Sequence, residues 1–267
     1  MIDINNNVIP IGSNTNAKYL AFGDDSQYED TLVFAYVLIL RSKLNRVISE
    51  FEKIKGKFKF PPNSKIHCRV LFSGHQREKN GLGHLTQNDI RALLFHVVTL
   101  LNKYNIGVYF SYASASAGKK AFGENTFLEM NDLEGNKSLM KSNYDPKGIL
   151  GMLSQSCWAG IDATKYPTVN DCEIFAAEDE TKINWIGNTK NRADRWLSGF
   201  SDVGAPHGSV FKLKPSVKPS NFSPCFELAD IAAYLYSHSL DANLENPLFK
   251  ELTNEIKLWK KSIFKFE

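Results

Sequence analysis

Residues Lys18–Leu40, KYLAFGDDSQYEDTLVFAYVLIL, decide the fold reading, because two apolar runs flank a short polar link. Lys18 to Phe22 reads as a strand that stops at Gly23-Asp24-Asp25-Ser26, a cluster of turn formers that places Asp24 at a strand end. Thr31 to Leu40 is β-branched and aromatic, with no polar face, as expected of a strand buried on both sides. Gln27 to Asp30 then joins the two as an antiparallel hairpin.

Beyond this hairpin the apolar period changes. Leu44, Val47, Ile48, Phe51 and Ile54 recur at three and four, predicting a helix with Ser42 as N-cap and Gly56 as stop. A basic tail, Lys53, Lys55, Lys57 and Lys59, leads to Pro61-Pro62, and KIHCRVLF (65–72) reads as a short strand or extended segment carrying His67. A Gly-, His- and Asn-containing loop to Gly83 precedes a second helix, capped by Thr86 and running to about Tyr104. Ile106 to Tyr112 reads as a strand, and Ser114 to Lys141 as a loop insertion. A third helix is expected at about 146–160, a strand at Cys172–Ala177 and a further short strand at Ser209–Leu213. A core helix follows from Cys225 to about Leu240, with a peripheral helix through Leu248, Leu252, Ile256 and Trp259.

The whole is α/β: residues 18–267 as a single domain, one mixed sheet with flanking helices, after a flexible N-terminal arm over 1–17. A chain of 267 residues that is 43% hydrophobic, with 18 phenylalanines, has the apolar surface to fold. The net charge of +3 does not by itself indicate a nucleic-acid partner, which needs local basic clusters. Four separated cysteines, Cys68, Cys157, Cys172 and Cys225, form no C-x-x-C pair, which argues against a zinc knuckle or disulfide framework and for a reducing compartment. The amino terminus lacks a basic start followed by an apolar block, and no run reaches a membrane span, so a cytoplasmic location is expected. Gly81-Leu82-Gly83 lacks the remaining elements of a P-loop.

Acidic side chains fall in three places: Asp24 and Asp25 after the first strand, Glu178-Asp179-Glu180 after Cys172–Ala177, and Glu227 with Asp230 on the late helix. Carboxylates gathered from several elements suit Mg²⁺ or Mn²⁺, which bind phosphoryl oxygens and activate water. On the late helix Glu227, Asp230, Tyr234 and His238 recur at three and four beside an apolar stripe, and an acid there needs water, a partner or a metal. Lys182, Lys190, Arg192 and Arg195, interleaved with Trp185 and Trp196, form a composition able to bind nucleic-acid backbone and stack bases.

FGDDS, KIHCRVL and FELADIAAYLY, in that order, resemble the domain-of-unknown-function 3800 family over roughly Tyr19–Ser239. Members carry a strand ending in Asp-Glu-Ser-Gly, a Glu-x-His segment and a Leu-Ala-Asp-hydrophobic-x-Ala-Tyr helix. Asp24 and Ser26 match the first motif, Asp25 stands at the glutamate, and Gln27 replaces the glycine. His67 matches the histidine while Lys65 stands where an acid is common, and Asp230 and Tyr234 match the helix. The resemblance implies a ribonuclease H-like fold, whose first strand, a later strand and last core helix bring acids around Mg²⁺ or Mn²⁺.

The combined expectation is a metal-dependent nuclease with Asp24, Asp179 and Asp230 as primary ligands and Asp25 and Glu178 as secondary ones. His67 would assist at the leaving side, and Lys182, Lys190, Arg192 and Arg195 would bind nucleic acid. The alternative is a noncatalytic module on the same scaffold, with a partner protein in a defence or mobile-element system. A third reading is a nucleotide phosphatase whose 114–141 segment closes a pocket.

Overall fold

A computed structural model describes residues 17–122, 126–131, 137–142, 150, 153–154, 157, 172–177, 216–218, 221–240, 247–257 and 259–263. Strand β1 spans Tyr19–Tyr28 and β2 spans Thr31–Leu40. They pair antiparallel along their full length from Tyr19↔Leu40 to Tyr28↔Thr31, leaving a two-residue turn in which Glu29 is left-handed (φ 48°). The hairpin expectation holds, but the strand does not stop at Gly23. Gly23, Asp24, Asp25 and Ser26 face Tyr36, Ala35, Phe34 and Val33 across the ladder, and this long-range pairing overrides the local turn preference. Asp24 therefore sits mid-strand.

Gly23 serves here as a space rather than a bend. A Cβ at this position would overlap the ring of Tyr36, its cross-strand partner, whose hydroxyl bonds Ser154 Oγ at 2.8 Å within the core. The ring lies over the glycine, a pairing that protects backbone a glycine leaves bare.

The first helix, α1, covers Leu44–Lys57, preceded by a 3-10 turn at Arg41–Lys43, so Ser42 is not its N-cap and Gly56 lies within it. Of the expected strand or extended segment at 65–72, His67 is extended, but helix α2 (Cys68–Phe72) takes the residues after it. The N–H groups of Ile66 and Cys68 are taken by side chains rather than by a neighbouring strand, and Leu71 N–H returns to His67 O, so no sheet is needed to satisfy them. A short helix α3 (Gly74–Lys79), capped by Ser73, occupies part of the expected loop. Helix α4 (Gln87–Tyr104) follows the sequence closely, with a Thr86–Asp89 capping box.

Strand β3 covers Gly107–Ser114. The insertion is more ordered than its sequence suggests: α5 (Ala115–Phe122) is followed by β4 (Thr126–Asn131) and β5 (Lys137–Ser142), an antiparallel pair forming its own two-stranded sheet. Of the expected helix at 146–160, Leu150, Leu153, Ser154 and Cys157 are described and helical. Strand β6 (Cys172–Ala177) is as expected. A short strand β7 (Ser216–Lys218) lies between Pro215 and Pro219, while 209–213 and residues 1–16 fall outside the described residues. Helix α6 covers Cys225–Ser239 and α7 Leu248–Glu255. The tail expected as one peripheral helix ends differently, because Trp259–Ile263 forms β8 against β3 and α7 buries Leu248, Phe249 and Leu252.

The main sheet is mixed and six-stranded, ordered β7-β6-β1-β2-β3-β8, with β1, β2 and β3 antiparallel in succession and β6 parallel to β1. Strand β2 divides its side chains as the period of two demands. Val33, Ala35, Val37 and Ile39 face a core built with α1, α4, α6 and α7, while Leu32, Phe34, Tyr36 and Leu38 face a second core with Leu153 and Cys157. Ala17, the last residue of the expected arm, is buried. No helix among the described residues is long and apolar enough to cross a membrane.

Replacing Gly23 with alanine is expected to destabilise the fold by about 1–3 kcal/mol in urea titrations, because the methyl group forces the Tyr36 ring from its seat. Unchanged or raised stability would contradict this packing.

Candidate active site

Helix α6 lies along β1 in the same direction, and their contacts keep step. Phe22 meets Phe226 edge to face at 5.5 Å, Ser26 Oγ lies 3.1 Å from Ser237 Oγ, and the Tyr28 and His238 rings are 3.9 Å apart. From Phe226 to Asp230 is about 6 Å of helix. From Phe22 to Asp24 is about 6 to 7 Å of strand. The two aspartates therefore stand at the same level, one on each element.

The strand's alternation assigns the faces. Leu20 and Phe22 belong to the core beneath α6, and Ser26 and Tyr28 touch α6 directly, so Asp24 shares that face. Asp25 lies with Ala21 on the opposite face. The structure thus separates two neighbours that the sequence grouped as ligands. Asp24 Oδ1 accepts the Asp25 backbone N–H at 2.9 Å.

On α6, Glu227 and Asp230 are one turn apart and buried. Glu227 Oε2 accepts Ile66 N–H at 2.6 Å, and Asp230 Oδ2 accepts Cys68 N–H at 3.1 Å. His67, between them, directs Nδ1 to 3.4 Å from Asp230 Oδ2 while 64% of its side chain stays exposed. The arrangement brings Asp24, His67 and Asp230 together, and the negative charges of both aspartates act on the imidazole. The hydrogen bond that His67 donates to Asp230 is the main cause that lifts the imidazole above its ordinary pKa; partial burial opposes it, and the charges of Asp230 and Asp24 add to the rise.

Glu227 is compensated from the other side. Lys55 Nζ, reaching in from α1, lies 3.2 Å from Glu227 Oε1, and both side chains are buried. Burial raises the Glu227 carboxyl above the usual range, and the Lys55 charge with the Ile66 N–H hold the rise back. Lys55 belongs to a basic tail that sequence reading left as a run of charges. The signal for its role was its spacing: Phe51 and Lys55 share the buried stripe of α1.

Tyr234 stacks on Phe72 of α2, ring centres 5.3 Å apart and nearly parallel, and on His238 at 3.9 Å. The residues at three and four along α6 thus form one functional-looking row, from Glu227 through Asp230 and Tyr234 to His238. All four cysteines are free and buried. Burial lifts Cys157, Cys172 and Cys225 to about 12, and burial with the Asp230 charge lifts Cys68 well above its ordinary value.

The second acid cluster, Glu178 and Asp179, and the basic residues Lys182, Lys190, Arg192 and Arg195 lie outside the described residues. The strand leading to that cluster is placed: β6 pairs Ala176 with Gly23, so its last residue, Ala177, is at the level of Asp24. Among the described residues no group of three or more His, Cys, Asp or Glu side chains is arranged to hold a metal ion. Two carboxylates nonetheless suit Mg²⁺ or Mn²⁺, because a hard cation of this size takes one or two carboxylates and keeps several waters. Asp230 Oδ1 makes no hydrogen bond among the described residues, so it is the oxygen left for such an ion.

The chain matches no protein-family model, no curated protein and no solved structure.

The His67–Asp230 contact gives a pH dependence of definite sign. A histidine whose folded pKa is raised contributes stability that is complete below about pH 6.5. That contribution is lost as the pH rises through the folded value. An NMR titration of the metal-free protein is expected to place His67 above its ordinary value, and Asp230→Asn to lower it; an unchanged titration in Asp230→Asn would remove the contact from the account.

Proposed function

We propose that this chain is a Mg²⁺- or Mn²⁺-dependent nuclease on a ribonuclease H-like scaffold, hydrolysing phosphodiester bonds of nucleic acid. The observation that carries the reading is the meeting of Asp24 from β1 and Asp230 from α6 at one level, with His67 against Asp230. The family resemblance calls for acids from the first strand, a later strand and the last core helix. Asp24 and Asp230 stand in the first and last of these places. Asp179, with Glu178 as neighbour, is proposed for the remaining one, since it follows a strand that ends beside Asp24. The mixed sheet, with β1 between an antiparallel and a parallel neighbour, supports the same scaffold.

The cation would be held by Asp24 and Asp230 and would supply stabilisation of phosphoryl charge and acidification of water. The protein's own groups account for the rest. Asp230 divides its oxygens, Oδ2 fixing Cys68 N–H and His67 and Oδ1 remaining for the ion. With Nδ1 turned to Asp230, His67 has Nε2 for the substrate, where it would assist at the leaving oxygen.

One observation favours a second reading, a noncatalytic module that engages nucleic acid or a partner protein in a defence or mobile-element system. Both acids of α6 already accept backbone hydrogen bonds, which gives them a purely structural purpose.

Cleavage assays decide between the two. Labelled single- and double-stranded DNA and RNA are incubated with Mn²⁺, Mg²⁺ or EDTA. The nuclease reading expects metal-dependent cleavage that falls more than about 100-fold in Asp24→Asn and in Asp230→Asn. Asparagine keeps an acceptor for Cys68 N–H, so melting temperatures should change little. Absence of cleavage of every substrate would leave the module.

A further inference from the structure

The expected nucleic-acid contacts of the sequence lie beyond β6, yet the site has a cation of its own. The two hydrogen bonds from Ile66 and Cys68 to α6 pin alternate residues of one short segment. Alternation then turns the intervening side chains outward: Ile66 and Cys68 are buried, whereas Lys65, His67 and Arg69 are exposed. Three nitrogen-bearing side chains thus line the edge of a site whose floor is acidic.

Arg69 stands out among them. It makes no hydrogen bond or ion pair among the described residues, although it sits two residues from His67 and its charge acts on both His67 and Tyr234. Two other arginines have evident structural work: Arg77 donates to Leu71 O at 2.5 Å, and Arg41 to Ala17 O at 2.6 Å. A rigid guanidinium fork left open two residues from His67 matches the paired nonbridging oxygens of a phosphodiester. A polyanion approaching Asp24 and Asp230 meets repulsion that such a cation offsets.

We propose that Arg69 binds the phosphodiester group presented to the Asp24–Asp230 site, with Lys65 extending the same cationic edge along the strand. The inference rests on the proposed nuclease reading for the identity of the substrate. The pinning of Ile66 and Cys68 gives the guanidinium a fixed origin, and one of the two carboxylates that do so, Asp230, also belongs to the proposed cation site. Phe72 and Tyr234, stacked beside it, present aromatic surface alongside the phosphate contact.

The test is binding, measured separately from cleavage. Fluorescence anisotropy of labelled DNA and RNA oligonucleotides is followed over a range of salt in the Asp24→Asn background, alone and with Arg69→Ala, Arg69→Lys or Arg91→Ala. Arg91 pairs with Glu251 on the α4–α7 surface and controls for the loss of one positive charge. Arg69→Ala is expected to weaken binding about tenfold. It should also reduce the dependence of log K on log salt by about one. Arg69→Lys should retain the salt dependence with weaker binding, and Arg91→Ala should match the background.

Equal binding by Arg69→Ala, an equal loss in Arg91→Ala, or no oligonucleotide bound by any variant would overturn the proposal. A mononucleotide that competes as well as the oligonucleotide would overturn the phosphodiester assignment. Oligonucleotide binding that depends on Arg69 in a wild type that cleaves nothing would sink the nuclease reading and keep this one. Cleavage by wild type with no Arg69 effect would do the reverse.

Discussion

The arrangement depends on a pair of hydrogen bonds by which one turn of α6 grips an extended stretch of chain. Glu227 holds Ile66 N–H and Asp230 holds Cys68 N–H, so residues 66–68 dock on a helix as they would on a neighbouring strand. Both acceptors are buried carboxyl groups, which is unfavourable unless each is hydrogen-bonded or paired. Lys55 compensates Glu227 across the core from α1, and His67 with the Cys68 N–H compensates Asp230. Removing one member of the buried Lys55–Glu227 pair typically costs about 3–5 kcal/mol, because the other is left as an unpaired charge. The grip thereby ties α1, α2 and α6 into one unit.

The same grip arranges chemistry. By fixing the backbone on either side of His67 it sets the imidazole against Asp230 and throws Lys65 and Arg69 outward. The alternation of β1 performs the matching selection on the sheet side. It brings Asp24 under α6 with Ser26 and Tyr28 and turns Asp25 to the opposite face of the sheet. Two rows of side chains, one with a period of two and one with steps of three and four, meet at the aspartates.

Elements whose pattern is local could be read from the sequence alone. The Thr86 cap and the stripe through Leu101 define α4, the apolar run Thr31–Leu40 defines β2, and Cys172–Ala177 defines β6. The late helix was also plain, together with its row of Glu227, Asp230, Tyr234 and His238. What failed depended on partners distant in the chain. Gly-Asp-Asp-Ser has the composition of a turn, and only the facing residues of β2 keep it extended. KIHCRVLF has the composition of a strand, but α6 satisfies its backbone and frees it to turn helical at Cys68. The candidate site was legible as a set of acids, whereas the separation of Asp24 from Asp25 required knowing that the strand continues. Lys55 and Arg69 were hidden in basic composition, because their roles are set by one buried and one exposed position that local sequence does not distinguish.

The central claim, that Asp24 and Asp230 share one cation site from which Asp25 is excluded, is tested most directly by paramagnetic broadening of backbone amide signals during a Mn²⁺ titration. Broadening is expected to centre on Asp24 and Asp230, to vanish in Asp24→Asn and in Asp230→Asn, and to persist in Asp25→Asn. Broadening that centres elsewhere, or that Asp25→Asn abolishes as completely as Asp24→Asn, would contradict it.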